Sequence, residues 1–292
     1  MAKIDIYETV TNTIIEALEK GIDNKNWEMP WHGSSAMPQN AHTGNIYRGV
    51  NVPLLWAWQA KKEYSSAIWG TYRQWAELGA QVKKGEKGIR IVFWKSIKIE
   101  PQDENEEEET RMFAKYSTVF NADQVDGYEI KEDAEIEKSD IQAIACADSL
   151  IDASGAIIQH EENRAFYSPT LDYINVPTPE YFKDTKAKNA TENYFSVIFH
   201  ELSHWTGHKS RLDRKPNGDS SRAEYAYEEL VAELGAAMCC ASAGVSSVVR
   251  DDHAQYIGGW LKALKNDKKF IFSASSQAQK AVDYLYSLEN TE

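Results

Sequence analysis

The sequence predicts an α+β protein of two domains, with a mixed N-terminal half and a mostly helical C-terminal half that contains a small sheet. Its 292 residues include 42% hydrophobic side chains, enough for a core in each half. Apolar residues recur at helical spacing in both halves and alternate at strand spacing in a few short segments. Residues 1–98 carry 13 Lys and Arg against 9 Asp and Glu, whereas the remainder has a net charge of −17. This asymmetry indicates two units with different partners, which we place at residues 1–128 and 141–292, joined by a charged linker at 129–140.

The N-terminal half begins with an amphipathic helix, predicted over residues 6–18, where apolar residues recur every four positions before Gly21. Two further helices are predicted at residues 54–61 and 71–78. A β-hairpin follows, because residues 89–94 and 112–120 have the composition of strands. The acidic run E-P-Q-D-E-N-E-E-E-E at residues 100–109 is expected to form its solvated tip.

The N-terminal half is also rich in tryptophan and in basic residues. Seven of the nine tryptophans lie within residues 1–98, interleaved with lysine and arginine, and about four of the seven are expected to be packed inside. Aromatic faces stack on unpaired bases while cations follow the phosphates, so this composition favours a surface for single-stranded nucleic acid. In the turn V-K-K-G-E-K-G (residues 82–88), glycines let backbone N–H groups approach a phosphate. The candidate contacts are Arg48, Trp69, Arg73, Lys83, Lys84, Lys87 and Arg90.

The C-terminal half is predicted to start with a helix over residues 141–155. Short strands are predicted at residues 156–160, 164–167 and 172–176, and we expect the last of them to be an edge along which an extended peptide pairs. Two more helices are predicted within residues 255–288.

Between these elements lies a pattern with metal chemistry, H-E-L-S-H at His200 to His204, inside an apolar run. On a helix, His200 and His204 project from one face and can hold one tetrahedral zinc ion, with room for a third ligand and a water molecule. Glu201 is then placed to accept a proton from that water. Two histidines at this spacing are also common without any metal. The apolar context and an acidic helix downstream favour the metal interpretation.

The third ligand must come from outside this pattern. Gly207 stands where one zinc-protease pattern has glycine, but Ser210 stands where that pattern has its third histidine. Residues 225–237 predict a second helix, on which Glu229 and Glu233 share the face that can meet the first helix. We assign Glu229 to the metal and Glu233 to the free ring nitrogen of a ligating histidine, although spacing leaves the choice between them open. Glu228 is expected to be solvated.

Composition argues against several classes of protein. There is no run of eighteen apolar residues for a membrane span and no apolar block of a signal peptide at the N-terminus. The cysteines are Cys146, Cys239 and Cys240, an odd number with two adjacent, which predicts reduced thiols and a cytoplasmic location. The overall charge of −13 by itself argues against a nucleic-acid binder, so any such surface must be local. The sequence gives no prediction of the oligomeric state.

Long ordered motifs resemble a known family, the ArdC-type antirestriction proteins. Three stretches resemble the N-terminal domain of that family: N-A-H-T-G-N-I-Y-R-G-V-N (40–51), the run from W-G-T-Y-R to K-K-G-E-K-G (69–88) and V-F-N-A-D-Q-V-D-G (119–127). Three further stretches resemble the zincin-type metallopeptidase domain of the same family: I-F-H-E-L-S-H-W-T-G-H-K-S-R-L-D-R (198–214), Y-E-E-L-V-A-E-L-G-A-A (227–237) and the run from Trp260 to Leu285. One departure is Gly79-Ala80, where the family usually has two glycines before Q-V.

The resemblance implies an N-terminal domain that binds single-stranded DNA and a mostly helical, zincin-like C-terminal domain. It implies a divalent metal, zinc first, on His200, His204 and an acidic residue that we place at Glu229. It also implies a protein of mobile elements that protects incoming DNA from restriction. If the site is catalytic, Glu201 is the general base, and Tyr225, Tyr227 and His208 are candidates to stabilise the oxyanion.

Three functions follow as hypotheses. The first is a DNA-tethered protease that cleaves a host defence protein. The second is a passive shield of single-stranded DNA in which the metal only braces the fold. The third is an acidic mimic of DNA that occupies a restriction enzyme directly.

Overall fold

The computed structural model describes residues 5–22, 31, 36–99, 109–129, 140–184, 189–215, 221–245 and 254–289, and they form the two-part α+β arrangement that the sequence predicts. The N-terminal half contains, in chain order, α1 (Ile6–Ile22), β1 (Gln39–Asn40), α2 (Asn51–Lys62), β2 (Ile68–Thr71), α3 (Tyr72–Glu77), β3 (Gln81–Val82), β4 (Ile89–Ile99), β5 (Glu109–Asn121) and β6 (Val125–Asp126). The C-terminal half contains α4 (Asp140–Ser154), β7 (Ile157–Gln159), β8 (Phe166–Ser168), β9 (Tyr173–Asn175), α5 (Ala190–Thr206), α6 (Ser221–Ala243), α7 (Ala254–Asn266) and α8 (Phe270–Glu289).

The N-terminal sheet has the strand order β1-β2-β5-β4. Its main part is the predicted hairpin, confirmed as an antiparallel pair from Ile89 opposite Val119 to Ile99 opposite Glu109. Both strands are longer than the pattern indicated, and β5 pairs on its other side with β2. Most of the expected acidic tip, residues 100–108, lies outside the described residues, as does Trp27. The short pair β3 and β6 completes this half around the basic turn.

In the C-terminal half, α6 packs against α4, α5, α7 and α8, so it is the central helix. The small sheet has the order β7-β9-β8, with β9 parallel to β7 and antiparallel to β8. The prediction that residues 172–176 form an edge strand is therefore wrong, because β9 is bonded on both sides. Of the two outer strands, β8 packs against α5 and is the one that lies beside the predicted metal helix.

The two halves are in direct contact in this structure. The first helix, α1, packs on α7, and Thr11 Oγ1 donates a hydrogen bond of 2.8 Å to the carbonyl of Lys268. Gly49 N donates to Gln279 Oε1 at 3.0 Å, and Arg48 forms an ion pair with Asp283 of α8. Nearly all of the predicted linker at 129–140 lies outside the described residues, so the boundaries 1–128 and 141–292 stay predictions. None of the described helices has the length and hydrophobicity needed to cross a membrane.

Candidate metal centre

The two histidines of the H-E-x-x-H motif lie on α5. This helix begins with a capping box, in which the Asn189 side chain accepts a hydrogen bond from Glu192 N and the Glu192 carboxylate accepts one from Asn189 N. Its apolar face is buried, including Ile198, Phe199 and Leu202. His200 and His204 are one turn apart, and their Nε2 atoms approach each other to 3.2 Å. The helix therefore holds two imidazoles in convergent orientation within a packed environment.

The opposite wall of the site is α6, which crosses α5 at very short distance. A Cβ atom added to Gly235 would lie 2.5 Å from Ser203 Oγ, so a larger residue does not fit at this crossing. The close approach brings the Glu229 carboxylate to both histidines. Its Oε2 lies 3.5 Å from His200 Nε2, and its Oε1 lies 3.5 Å from His204 Nε2.

These three residues form a donor set for a metal ion. One ligand atom from each of His200, His204 and Glu229 lies within 4.8 Å of the others, and no other group of three such residues was found in the described part of the chain. For ligands at ~2.0–2.1 Å in a tetrahedron, neighbouring donor atoms are ~3.3–3.4 Å apart. The observed separations of 3.2 and 3.5 Å are close to this spacing. The residues present thus fit a small divalent ion with two nitrogen donors and one oxygen donor.

The outer ring nitrogens of both histidines also meet carboxylates. His200 Nδ1 lies 3.4 Å from Glu233 Oε2, the position that the sequence predicts for Glu233. His204 Nδ1 donates a hydrogen bond of 3.1 Å to Glu228 Oε1. Glu228 is therefore not the solvated charge that the sequence indicates. Carboxylates in this position fix the orientation of an imidazole and make it a better metal ligand.

The Glu228 carboxylate is itself held by Arg214, whose side chain is almost completely buried. Arg214 Nε and Nη2 both bond to Glu228, and Nη2 also donates to the Ser203 carbonyl at 2.8 Å. The guanidinium lies so close to Gly207 that a Cβ there would be 2.7 Å from Nη2. This explains why glycine follows the motif at position 207. Sequence reasoning missed the roles of Glu228 and Arg214, because only the fold shows that the loop after α5 returns to α6.

Two families of known proteins match different parts of the chain. Residues 4–120 match the family described as the N-terminal domain of anti-restriction factor ArdC, and residues 145–277 match a family of zincin-like metallopeptidases. A crystal structure of the antirestriction ArdC protein from the R388 plasmid, metal-free, has a TM-score of 0.78 and 41% identity, with 98% of both chains covered. The chain belongs to the ArdC family of antirestriction proteins.

Other relatives extend this result. The Mn(II)-bound structure of the R388 ArdC protein has a TM-score of 0.73 and 39% identity, with 99% of both chains covered. The protein y4eC of Sinorhizobium fredii, which is uncharacterised, is 40% identical over 98% of this chain and 93% of its own length. DNA primase TraC of Escherichia coli is 36% identical over 99% of this chain, which spans only 28% of TraC. Together with the donor set, the ArdC relatives indicate that the site takes a divalent metal ion.

The charges in this ArdC site favour protonated histidines when no metal is bound. Burial opposes a positive charge on His204, but hydrogen bonds to Glu228 and Glu229 outweigh it and raise the pKa of His204 to about 10. Burial also opposes the charge on His200, and Glu229 and Glu233 raise its pKa in the same way. Burial alone would raise the pKa of Glu228, but Arg214 and His204 hold it at about 2. Burial opposes the charge on Glu229 too, but His200 and His204 hold its pKa well below its usual range. At neutral pH Glu228 and Glu229 are therefore ionised, and protons compete with a metal ion for the imidazoles.

Metal uptake is consequently expected to release protons and to strengthen as the pH rises. Each proton displaced from an imidazole below its pKa makes the affinity rise by about tenfold per pH unit. From pH 6 to pH 8, displacement of the His204 proton alone should tighten zinc binding roughly 100-fold, and displacement of both imidazole protons by about 10⁴-fold. Competition with a chelator of known pH dependence measures the affinity, and calorimetry in two buffers of different ionisation enthalpy counts the protons. An affinity independent of pH over this range would contradict the protonated resting site.

The other predicted catalytic residues have different surroundings. Glu201 is buried beside His200 on α5. His208 is mostly buried, with Nδ1 2.7 Å from Ser210 Oγ, and Tyr225 is half exposed on α6. Tyr227 does not fit the predicted role of oxyanion donor, because it is buried in the core and its hydroxyl bonds to Ser273 Oγ of α8 at 2.7 Å.

The predicted DNA contacts also divide into two groups. Trp69 is fully buried on β2, so the prediction that it stacks on a base is wrong. Three of the cations already have protein partners, since Arg48 pairs with Asp283, Arg73 pairs with Glu77, and Lys83 Nζ donates to the Asp123 carbonyl at 2.9 Å. Four of the six tryptophans that the structure describes in this half are buried, as expected: Trp31, Trp56, Trp69 and Trp75.

The remaining candidates do lie on an open surface. Lys84 and Lys87 are exposed in the basic turn, where Gly85 has a φ of +90° that other residues rarely adopt. Arg90 follows on β4 with its guanidinium 5.8 Å from the ring of Tyr116. Arg73 is also exposed, on α3, although its Nε lies 2.8 Å from Glu77 Oε1. Sequence reasoning did not single out Tyr116 and Trp94, which are 52% and 48% exposed. The alternating pattern of β4 and β5 does not indicate which face of this hairpin is covered by other elements.

Proposed function

We propose that this ArdC family member is an antirestriction protein that binds single-stranded DNA and carries a zinc metallopeptidase site, with His200, His204 and Glu229 as the metal ligands. The observation that carries the proposal is the convergence of these three side chains beside the buried Glu201. Two imidazoles and one carboxylate with an open fourth position are a donor set typical of catalytic zinc. Manganese, the ion in the R388 relative, fits the carboxylate but prefers more oxygen ligands, so we favour zinc.

The residues around the metal ion have separate tasks in this proposal. When bound, the metal supplies Lewis-acid polarisation of a peptide carbonyl and a lower pKa for a coordinated water molecule. Glu201 accepts a proton from the attacking water and returns it to the leaving amine. Glu233 and Glu228 hold the rings of His200 and His204 in their ligating orientation, and Arg214 keeps Glu228 in place. An extended peptide adds to the outer strand β8, which packs on α5. His208 and Tyr225 are the remaining candidates to stabilise the oxyanion.

The peptidase proposal is tested with Glu201→Gln, which keeps the size of the side chain but cannot accept the proton. Cleavage of a fluorescent protein substrate by the zinc-loaded enzyme is expected to fall by about 10²–10⁴-fold. Zinc content and melting temperature should equal those of the wild type, because Glu201 is not a ligand. Equal cleavage by the variant would show that Glu201 is not the base.

The DNA part of the proposal is supported by the exposed basic turn and the neighbouring aromatic side chains. Lys84, Lys87 and Arg90 offer charges for phosphates, and the open backbone at Gly85 permits close approach of a phosphate. Single-strand binders combine such charges with aromatic rings and show little sequence preference.

For the setting, we propose a mobile element as the source, since one solved relative comes from the R388 plasmid. The three cysteines, all unbridged, fit a reducing compartment, and we propose the cytoplasm. The protein substrate in this proposal is a host defence protein such as a restriction enzyme. If the wild type protects DNA but neither cleaves protein nor depends on Glu201, the passive shield replaces the peptidase.

A further inference from the structure

A cleft lies between the two halves of the molecule, away from the helix pair of the metal site. Its volume is about 530 Å³, within the ~300–1,000 Å³ that small-ligand sites occupy. One wall is formed by the N-terminal half, including Tyr7 of α1, Arg48, and Val92 and Trp94 of β4. The other wall is formed by α8 and the residue before it, including Lys269, Phe272 and Lys280. The cleft is thus built only when both halves are present.

The charge of this cleft is opposite to that of the chain as a whole. Arg48, Lys269 and Lys280 line it, and none of the residues that line it carries a carboxylate. Two of these cations come from the half whose net charge is strongly negative. Arg48 is partly neutralised by Asp283, whereas Lys269 and Lys280 are exposed. Cations collected in a concave surface raise the local concentration of anions there.

The aromatic lining is the second feature of the cleft. Tyr7 and Phe272 have ring centroids 4.7 Å apart, one ring from each half, and the centroid of Trp94 is 6.4 Å from that of Tyr7. The Lys269 ammonium lies 5.6 Å from the Tyr7 ring. Trp94 keeps about half of its surface open to solvent. An exposed indole between cations offers a face on which a planar ring can stack.

The cleft continues into the surface that carries the proposed DNA contacts. In the β4–β5 hairpin, Arg90, Val92 and Trp94 alternate along one face of β4. Tyr116 is directly opposite Val92 and therefore belongs to the same face. The resulting strip runs from the basic turn through Arg90 and Tyr116 to Trp94 at the edge of the cleft, a length of roughly 23 Å for the seven steps from Lys87 to Trp94.

We propose that the cleft binds a segment of single-stranded nucleic acid, with a base stacked on Trp94 and the neighbouring phosphates on Lys269 and Lys280 of the metallopeptidase-like half. The inference rests on the proposed DNA binding and extends it, because it makes the C-terminal half part of the DNA site. An acidic peptide would satisfy the lysines but would leave the exposed indole and Tyr116 without a planar partner. Alternating aromatic and cationic groups are instead the recognition pattern of an unpaired strand.

The test uses the full chain and a fluorescein-labelled oligo-dT, with fluorescence anisotropy from 50 to 200 mM salt. The double variant Lys269→Gln/Lys280→Gln is expected to bind at least about tenfold more weakly at 100 mM salt. The slope of log affinity against log salt should fall in magnitude by about 1.4, since each phosphate contact on a single strand contributes about 0.7. Trp94→Ala should weaken binding by about fivefold to 100-fold without changing this slope. The matched control is Lys183→Gln/Lys262→Gln, which removes two exposed lysines of the same half outside the cleft and should bind as the wild type does.

The outcomes separate this inference from the proposed function. If the wild type does not bind oligo-dT, both fail. If it binds and only Lys84→Gln/Lys87→Gln weakens binding, DNA binding stands and the cleft is overturned as part of the site. A poly-glutamate peptide that binds more tightly than oligo-dT, and loses its binding in Lys269→Gln/Lys280→Gln, would assign the cleft to an acidic protein segment and overturn the proposal as well.

Discussion

Glu229→Gln is expected to remove stoichiometric metal from the protein, whereas Glu233→Gln should leave the metal bound with lower affinity. Both substitutions keep the shape of the side chain, and the two positions are one turn apart on α6. The difference follows from what each carboxylate contacts. Glu229 lies 3.5 Å from the Nε2 atoms of both histidines, but Glu233 lies against Nδ1 of His200, on the far side of the ring.

The expected loss of metal affinity differs between a ligand and a carboxylate that only orients a ligand. Loss of a carboxylate that only orients a histidine typically lowers metal affinity by about 10–100-fold, and we expect this range for Glu233→Gln and for Glu228→Gln. Loss of one of three protein ligands should exceed it. Elemental analysis after dialysis against a weak chelator measures the content, and thermal melting with and without zinc measures the linked stabilisation. Retained metal in Glu229→Gln together with lost metal in Glu233→Gln would reverse the two assignments.

Gly235→Ala is expected to destabilise the protein and weaken metal binding at the same time. The added methyl group would lie 2.5 Å from Ser203 Oγ and 3.1 Å from its Cβ. Ser203 is fully buried and its hydroxyl is bonded to the Phe199 carbonyl at 2.8 Å, so it has no free space into which to move. Overpacking of a buried contact costs about 1–3 kcal/mol in the free energy of unfolding. Because α5 and α6 must separate, Glu229 also moves away from His200 and His204.

Two companion variants distinguish this contact from a general effect of alanine. Gly258→Ala makes the same change on α7 at an exposed position with no atom within 4 Å of the new Cβ, and it should stabilise the protein by up to about 1 kcal/mol through helix propensity. Ser203→Gly combined with Gly235→Ala removes both clashing atoms and should recover much of the metal affinity. Urea unfolding measures the free energy of unfolding, and zinc titration measures the metal affinity. Wild-type zinc affinity in Gly235→Ala would show that this crossing does not position the ligands.

The amino-acid sequence by itself determined the features that depend on near neighbours in the chain. The α+β class, the β4–β5 hairpin and the helix with His200 and His204 on one face follow from periodicity and turn residues. Glu229 and Glu233 could be placed together on a second helix for the same reason. The resemblance to the ArdC family rested on long local motifs and is confirmed over the whole chain.

The tertiary structure alone decided which faces meet across long separations in the chain. A periodic pattern shows that one side of a helix or strand is covered, but it does not show which element covers it. For this reason the sequence predicts a DNA contact at Trp69 and an oxyanion donor at Tyr227, although both side chains are buried. It likewise predicts a solvated Glu228, although Glu228 holds His204. The cleft with Trp94, Lys269 and Lys280 is the same case, because Trp94 and Lys269 are more than 170 residues apart in the sequence. Only tertiary contacts such as Tyr7 with Phe272 and Arg48 with Asp283 bring its two walls together.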